Sequence, residues 1–315
     1  MPVLAEAWHR LRAGCFVDLS RDPASSVALL SDARSGSTWV ADLINHRGRF
    51  RYMFEPFHPR VVKPAARPHM FQYIAPDDEA SDFQAFSRRV LTGAFRYQRV
   101  DRYNRRVVCR ERLIKDVTAN LFAGWLHARF PDLKIVLLLR HPFGVAVSKN
   151  ATSYWSWPGV DELTAQPALM RDFLHDHAPD ADAEADPLLA QVYVWSVLHA
   201  VPLRQLDAAR VHLAFYETFC TDPDRELERI FNFLDGPNGS EMSVGSVLDI
   251  DKPSVMTRGD SAVRVGGKPT DEWREHFDDR REARGRQILE RFGLDGVYPD
   301  ALPDREAAEA LLHGP

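Results

Sequence analysis

The stretch Ser31-Asp32-Ala33-Arg34-Ser35-Gly36-Ser37-Thr38 follows a short apolar run and carries residue types that can hold an oxyanion. Laid over the G-x-x-x-x-G-K-S/T pattern of phosphate-binding loops, Gly36 and Thr38 match, while Ser31 replaces the first glycine and Ser37 the lysine. That lysine is what reaches the outer phosphates of a triphosphate, so a kinase or an ATPase is disfavoured. What survives is a turn of small residues at a helix N-terminus, where N–H groups converge and the macrodipole adds about half a positive charge. Hydroxyls of Ser35, Ser37 and Thr38 add donors, and Arg34 adds a full charge. An ordinary strand-to-helix turn has the same composition, so the loop alone does not name a ligand.

A second candidate lies further along. From Ile135 the chain is apolar up to Arg140, and Pro142 then opens a helical pattern that reaches Ser148. Proline suits a first helical turn because it has no N–H to leave unbonded. Arg140 therefore falls at the carboxyl end of a strand, where open α/β sheets place their ligands. Ser148 follows nearly two turns along the helix, so both side chains can reach one anion.

The elements that must position these groups repeat one grammar. Residues 26–30 read as a strand followed by a helix through Thr38, Trp39, Leu43 and Ile44; 112–117 as a strand before a helix over 120–130; 134–140 as a strand before a helix over 144–150. A last strand over 211–216 precedes a helix from about 224 to 234. Strands alternating with helices imply a parallel sheet covered on both faces, so the expected fold is a three-layer α/β/α sandwich. With 315 residues, 45% of them apolar, the chain can close one large core. We expect a single domain over 1–315 with its core at about 25–292, and a helix over 2–13 and a tail over 293–315 at the periphery.

Composition narrows the function classes. A net charge of −5 argues against a nucleic-acid coat and for an anion site that is local. Cys15, Cys109 and Cys220 stand far apart without a CxxC pair, so neither a disulfide framework nor a zinc knuckle is expected, and a cytoplasmic location is the simplest. No apolar run nears the roughly 20 residues that span a bilayer, so no membrane association is expected. Nine arginines fall between Arg88 and Arg112, read either as a solvated helix face or as a landing surface for an acidic acceptor.

Arg34-Ser-Gly-Ser-Thr-Trp39 resembles the 5′-phosphosulfate-binding motif of sulfotransferases that use 3′-phosphoadenosine 5′-phosphosulfate (PAPS), and 133–148 resembles their 3′-phosphate motif, in which an Arg and a Ser keep the interval of Arg140 and Ser148. Phe215-Tyr216-Glu217 is similar to the strand whose tyrosine borders the adenine, and Arg264-Val-Gly-Gly-Lys268 with Trp273 to the late loop that clamps the 3′-phosphate, although its second basic residue is displaced. The resemblance covers roughly 27–273. It implies a P-loop, nucleotide-kinase-like fold, PAPS as donor, no metal, and donor contacts from Arg34, Ser35, Gly36, Ser37, Thr38, Trp39, Arg140, Ser148, Tyr216, Arg264 and Gly266.

Sulfuryl transfer needs a base for the acceptor hydroxyl and cations near the leaving oxygen. Arg112-Leu-Ile-Lys115-Asp-Val117 is similar to the family's central strand, with Lys115 kept for the leaving group but Val117 where cytosolic members carry a basic histidine. Carbohydrate and tyrosylprotein sulfotransferases instead use a glutamate just after the first helix, where this chain has Tyr52-Met-Phe-Glu55-Pro-Phe. That resemblance implies Glu55 as base, Lys115 and Arg34 as electrostatic catalysts, and a carbohydrate-like, glycosylated or small natural-product acceptor. His58, beside Pro59, is a weaker candidate that we expect at the surface. His175 and His177 lie on an acidic loop and make a poor metal site, while Ser153 to Pro158 offers aromatic residues for core or acceptor. The rival readings are a P-loop kinase and a silent nucleotide-binding protein, and the sequence leaves the oligomeric state open.

Overall fold

The computed structural model describes residues 16–65, 69–104, 106–152, 157–179, 185–236 and 270–312. Seven strands are present among these: β1 (Val17–Asp18), β2 (Ser26–Ser31), β3 (Phe50–Phe54), β4 (Val108–Cys109), β5 (Glu111–Asp116), β6 (Lys134–Leu139) and β7 (Val211–Phe215). Five of them form one sheet in the order β3-β5-β2-β6-β7, and every pairing in it is parallel. β1 and β4 pair separately, also in parallel.

Helices fill the connections: α1 (Ser37–Ile44), α2 (Ser81–Leu91), α3 (Gln98–Asp101), α4 (Ala123–Arg129), α5 (Pro142–Asn150), α6 (Pro187–Gln205), α7 (Tyr216–Thr221), α8 (Pro223–Asp235) and α9 (Asp279–Arg291). Period-two alternation in the strands creates the two cores. Ala28 and Leu30 of β2, with Ile135, Leu137 and Leu139 of β6, pack on one face under residues of α4, α5, α6 and α9. Val27, Leu29, Val136 and Leu138 pack on the other, under α1 and α8. The three layers expected from the sequence are therefore present.

Of the elements that escaped the sequence reading, helix α6 and strand β3 did so for physical reasons. Helix α6 has no polar stripe, because residues 192–203 are all buried, and a helix apolar all round carries no one-sided period. The edge strand β3 is interrupted by Arg51, whose guanidinium is fully buried against Asp18 at 2.5 Å and Asp101 at 2.8 Å. A buried arginine needs such partners, and neither is adjacent in sequence. Glu55 consequently follows an edge strand, not the first helix.

The tail expected at the periphery instead contributes several of its described residues to the core. Leu294, Val297, Tyr298 and Ala308 are buried, and Leu294, Val297 and Tyr298 join the cluster around α6. The 2–13 helix, Cys15, Ser153 to Ser156, Arg264, Gly266 and Lys268 lie outside the described residues. Among the described residues Cys109 and Cys220 are free thiols. No helix among those residues is long and apolar enough to cross a membrane.

Candidate active site

Each strand of the large sheet delivers one sequence-predicted residue at its carboxyl end. β2 runs into the Asp32–Gly36 turn, β3 into Glu55, β6 into Arg140 and β7 into Tyr216, while Lys115 is the penultimate residue of β5. β2 lies at the centre with β5 and β6 on either side. From β2 the chain goes to β3 on one side, and from β6 it goes to β7 on the other, which makes the carboxyl edge between β2 and β6 the topological switch point where open α/β sheets bind ligands.

The turn after β2 is held open by its backbone. Gly36 has φ +78°, and a Cβ there would stand 2.5 Å from the Tyr216 ring. No side chain caps α1, so the N–H groups of its first turn are left for an outside acceptor. Ser35 Oγ is buried without a hydrogen-bond partner among the described residues. Arg34 also has a positive φ, 68°, a conformation that costs a non-glycine residue about 1–2 kcal/mol. That strain aims its side chain at α5, where its Nε donates to Ser148 Oγ at 3.1 Å.

Arg140 closes the same group: Nη1 donates to the Arg34 carbonyl at 2.9 Å, and the guanidinium lies 4.5 Å from the centre of the Tyr216 ring. Trp39 meets Tyr216 edge-on at 5.8 Å. Arg34, Gly36, Trp39, Arg140, Ser148 and Tyr216 thus form one connected cluster, with Ser37 and Thr38 in the first turn of α1. Alanine at Gly36 is expected to destabilise the fold by about 1–3 kcal/mol, from the left-handed backbone and the clash with Tyr216. Thermal melting checks this, and an unchanged midpoint would show that the turn relaxes freely.

Several supports of this cluster were invisible in sequence. Lys149, next to Ser148, pairs with Asp32 at 2.7 Å with both side chains buried, which ties the turn to α5. The Arg140 carbonyl accepts from Trp195 Nε1 at 3.1 Å. The following N–H, of His141, donates to Glu217 Oε1 at 2.9 Å, and Glu217 Oε2 accepts from the Tyr298 hydroxyl at 3.0 Å. The His141 ring stacks on Trp273 at 4.6 Å. Burial drives the His141 imidazole down to about 3, so it is neutral here. Buried charged or indole side chains on separate elements were the available signal, but only the fold shows which ones meet.

The second cluster is centred on Glu55. Its N–H donates to the Lys115 carbonyl at 2.7 Å, and its carboxylate accepts from Lys115 Nζ at 2.7 Å. The residue adopts φ 51°, a second strained non-glycine position, and such outliers gather at functional sites. Burial alone raises its carboxyl, but the Lys115 charge and hydrogen bond, with His58 and Arg99 behind them, outweigh burial and hold it below the usual range. Burial pushes the neighbouring Asp116 carboxyl up. His58 is buried, contrary to expectation, and burial takes its ring down to about 4. His175 faces Asp176 at an exposed position, and His177 packs on Phe292.

Three layers around a parallel sheet, with a small-residue turn after the central strand, define an α/β protein of the phosphate-binding-loop class. The sequence profile described as the sulfotransferase family matches residues 26–238, more than half of the chain, and the chain belongs to that family. No curated protein matches it. Among solved structures, the sulfotransferase domain from the curacin biosynthetic pathway is 18% identical, with 84% of this chain and 95% of that one covered at a TM-score of 0.45. A sulfotransferase from Alicyclobacillus acidocaldarius is 17% identical, with 90% and 97% covered at 0.44. Mouse sulfotransferase SULT7A1 complexed with PAP, 3′-phosphoadenosine 5′-phosphate, is 14% identical, with 95% and 92% covered at 0.42.

Proposed function

We propose that the chain moves a sulfuryl group from PAPS to a hydroxyl of a carbohydrate-like or small natural-product acceptor, with Glu55 as general base. The observation that carries this reading is the pair of clusters on one sheet edge: an anion cradle joined to Arg140 and Ser148, and a buried lysine–carboxylate pair on the strands beside it. Family membership supplies the reaction class.

In this reading the turn from Arg34 to Thr38 and the start of α1 bind the 5′-phosphosulfate, Arg140 and Ser148 bind the 3′-phosphate, and Trp39 and Tyr216 border the adenine. Arg264 and Gly266 would add a clamp from outside the described residues. Glu55 takes the proton of the acceptor hydroxyl, the acceptor oxygen attacks sulfur, and the bond from sulfur to the bridging oxygen of the nucleotide breaks. Charge develops on that oxygen, and Lys115 and Arg34 neutralise it as lysine and arginine do in phosphoryl transfer. When Lys115 turns from Glu55 to the donor, burial is left to dominate at Glu55 and its basicity rises. The base is thereby strengthened only with donor in place.

Calorimetric titration with PAP and with 5′-AMP tests the donor assignment. PAP is expected to bind about tenfold tighter or more, the size of a set of charge-assisted hydrogen bonds to one phosphate. Equal affinities would reject it. A labelled-donor assay beside it separates an active enzyme from a silent nucleotide binder.

A further inference from the structure

The nine arginines between Arg88 and Arg112 differ in their surroundings. Arg88, Arg89, Arg96, Arg106 and Arg110 are exposed, and Arg105 lies outside the described residues. Arg112 is buried against Asp18. Arg99 and Arg102 are left, both half-buried. They sit three positions apart, so their side chains leave the same helical face. Each has a buried Nε without a hydrogen-bond partner among the described residues. No carboxylate of those residues forms an ion pair with either; Asp101, which stands between them, is taken by Arg51.

Their position relative to Glu55 is fixed. Asn104 accepts from the Tyr52 N–H at 2.7 Å and donates to the Tyr52 carbonyl at 2.9 Å, which fastens the segment after α3 to the edge strand that leads into Glu55. The Arg102 guanidinium lies 4.9 Å from the Phe54 ring and 4.4 Å from the Tyr103 ring, and Lys115 Nζ lies 4.8 Å from the same Phe54 ring. Arg99 is close enough for its charge to act on Glu55. Burial first, and Arg102 beside it second, push the Arg99 guanidinium below its ordinary value.

Two adjacent guanidinium groups, partly withdrawn from water and with no carboxylate in ion-pair contact among the described residues, repel each other more than the Glu55 charge offsets at Arg99, and an oxyanion set between them removes that cost. The planar forks of arginine suit carboxylate and sulfate oxygens in particular. We infer that Arg99 and Arg102 form an oxyanion subsite for the acceptor, so that the hydroxyl offered to Glu55 belongs to an acid: a sugar or small molecule carrying a carboxylate or a sulfate ester. The inference rests on the sulfotransferase reading and deepens it by naming the acceptor class. Under that reading the anionic groups of the donor are held elsewhere, by the turn after β2 and by Arg140.

The test compares acidic and neutral hydroxyl compounds in pairs: methyl glucuronide with methyl glucoside, and N-acetylglucosamine sulfate with N-acetylglucosamine. The readout is the ratio of kcat/KM within each pair, in the native enzyme, in Arg99→Gln/Arg102→Gln and in the two single variants, with the PAP dissociation constant measured for each. The native enzyme is expected to favour the acidic member of at least one pair by about tenfold or more, and the double variant to lower that ratio by about 10- to 100-fold at unchanged PAP affinity. Preference in one pair only identifies which oxyanion fits. If PAP binds yet neither pair shows a preference, or the preference survives both substitutions, the subsite is overturned while the donor assignment stands. If PAP fails to bind the native enzyme, the sulfotransferase reading falls and the subsite with it.

Discussion

Replacing Glu55 by alanine is expected to lower turnover by about 10²-fold or more, the usual size for a lost general base, while PAP affinity changes little. The split follows from position. Glu55 follows the edge strand and is bound to Lys115, whereas the contacts that define the anion cradle run between Arg34, Arg140, Ser148 and Tyr216. Glu55→Gln keeps the size and removes the charge, so it should lose turnover to the same degree; a variant with full turnover would remove Glu55 from the mechanism. The pH effect has a definite sign. Lys115 lowers the carboxyl of Glu55 below the ordinary glutamate value despite its burial, so in the free protein it stays ionised through neutrality and takes up a proton only in the acid range below that value. NMR titration of the Glu55 carboxyl carbon reads this directly, and a midpoint above that value would show that burial outweighs the lysine.

Alanine at Arg140 should act on binding instead. PAP affinity is expected to fall by about 10- to 100-fold, the range for charge-assisted hydrogen bonds lost to one phosphate. Turnover at saturating donor should fall less. Part of the loss is indirect, because the side chain also holds the Arg34 carbonyl and covers Tyr216. Arg140→Lys separates the contributions: it keeps the charge but not the planar fork, so a partial recovery of affinity is expected. An unaltered dissociation constant in Arg140→Ala would refute the 3′-phosphate role.

Much of this site was legible in the sequence because its parts are local. The Arg34–Thr38 turn and the Arg140–Ser148 interval are each written within one strand-turn-helix unit, where periodicity sets which side chains can converge. Lys115 was legible only through the resemblance of its strand to the family's central strand. The strained backbone of Arg34 and Glu55 was not, since no composition rule assigns a left-handed φ to either residue type. Nor were the bonds from Glu217 and Trp195 to the turn at Arg140, or the Asp32–Lys149 pair, because each joins residues distant in sequence. His58 was misjudged for a related reason: a polar residue beside a proline reads as surface, and only the packing shows it buried.

The bond from Tyr298 to Glu217 has a consequence for where the working unit ends. Tyr298 and Trp273 lie beyond the stretch that the family profile matches, 26–238, yet one steadies the carboxylate under His141 and the other stacks on the His141 ring. A fragment trimmed to the matched stretch would leave Glu217 Oε2 without that phenol donor, in a place where burial already favours the protonated acid. The floor beneath Arg140 is thus bolted from the far end of the polypeptide, and the catalytic unit is longer than its recognisable signature.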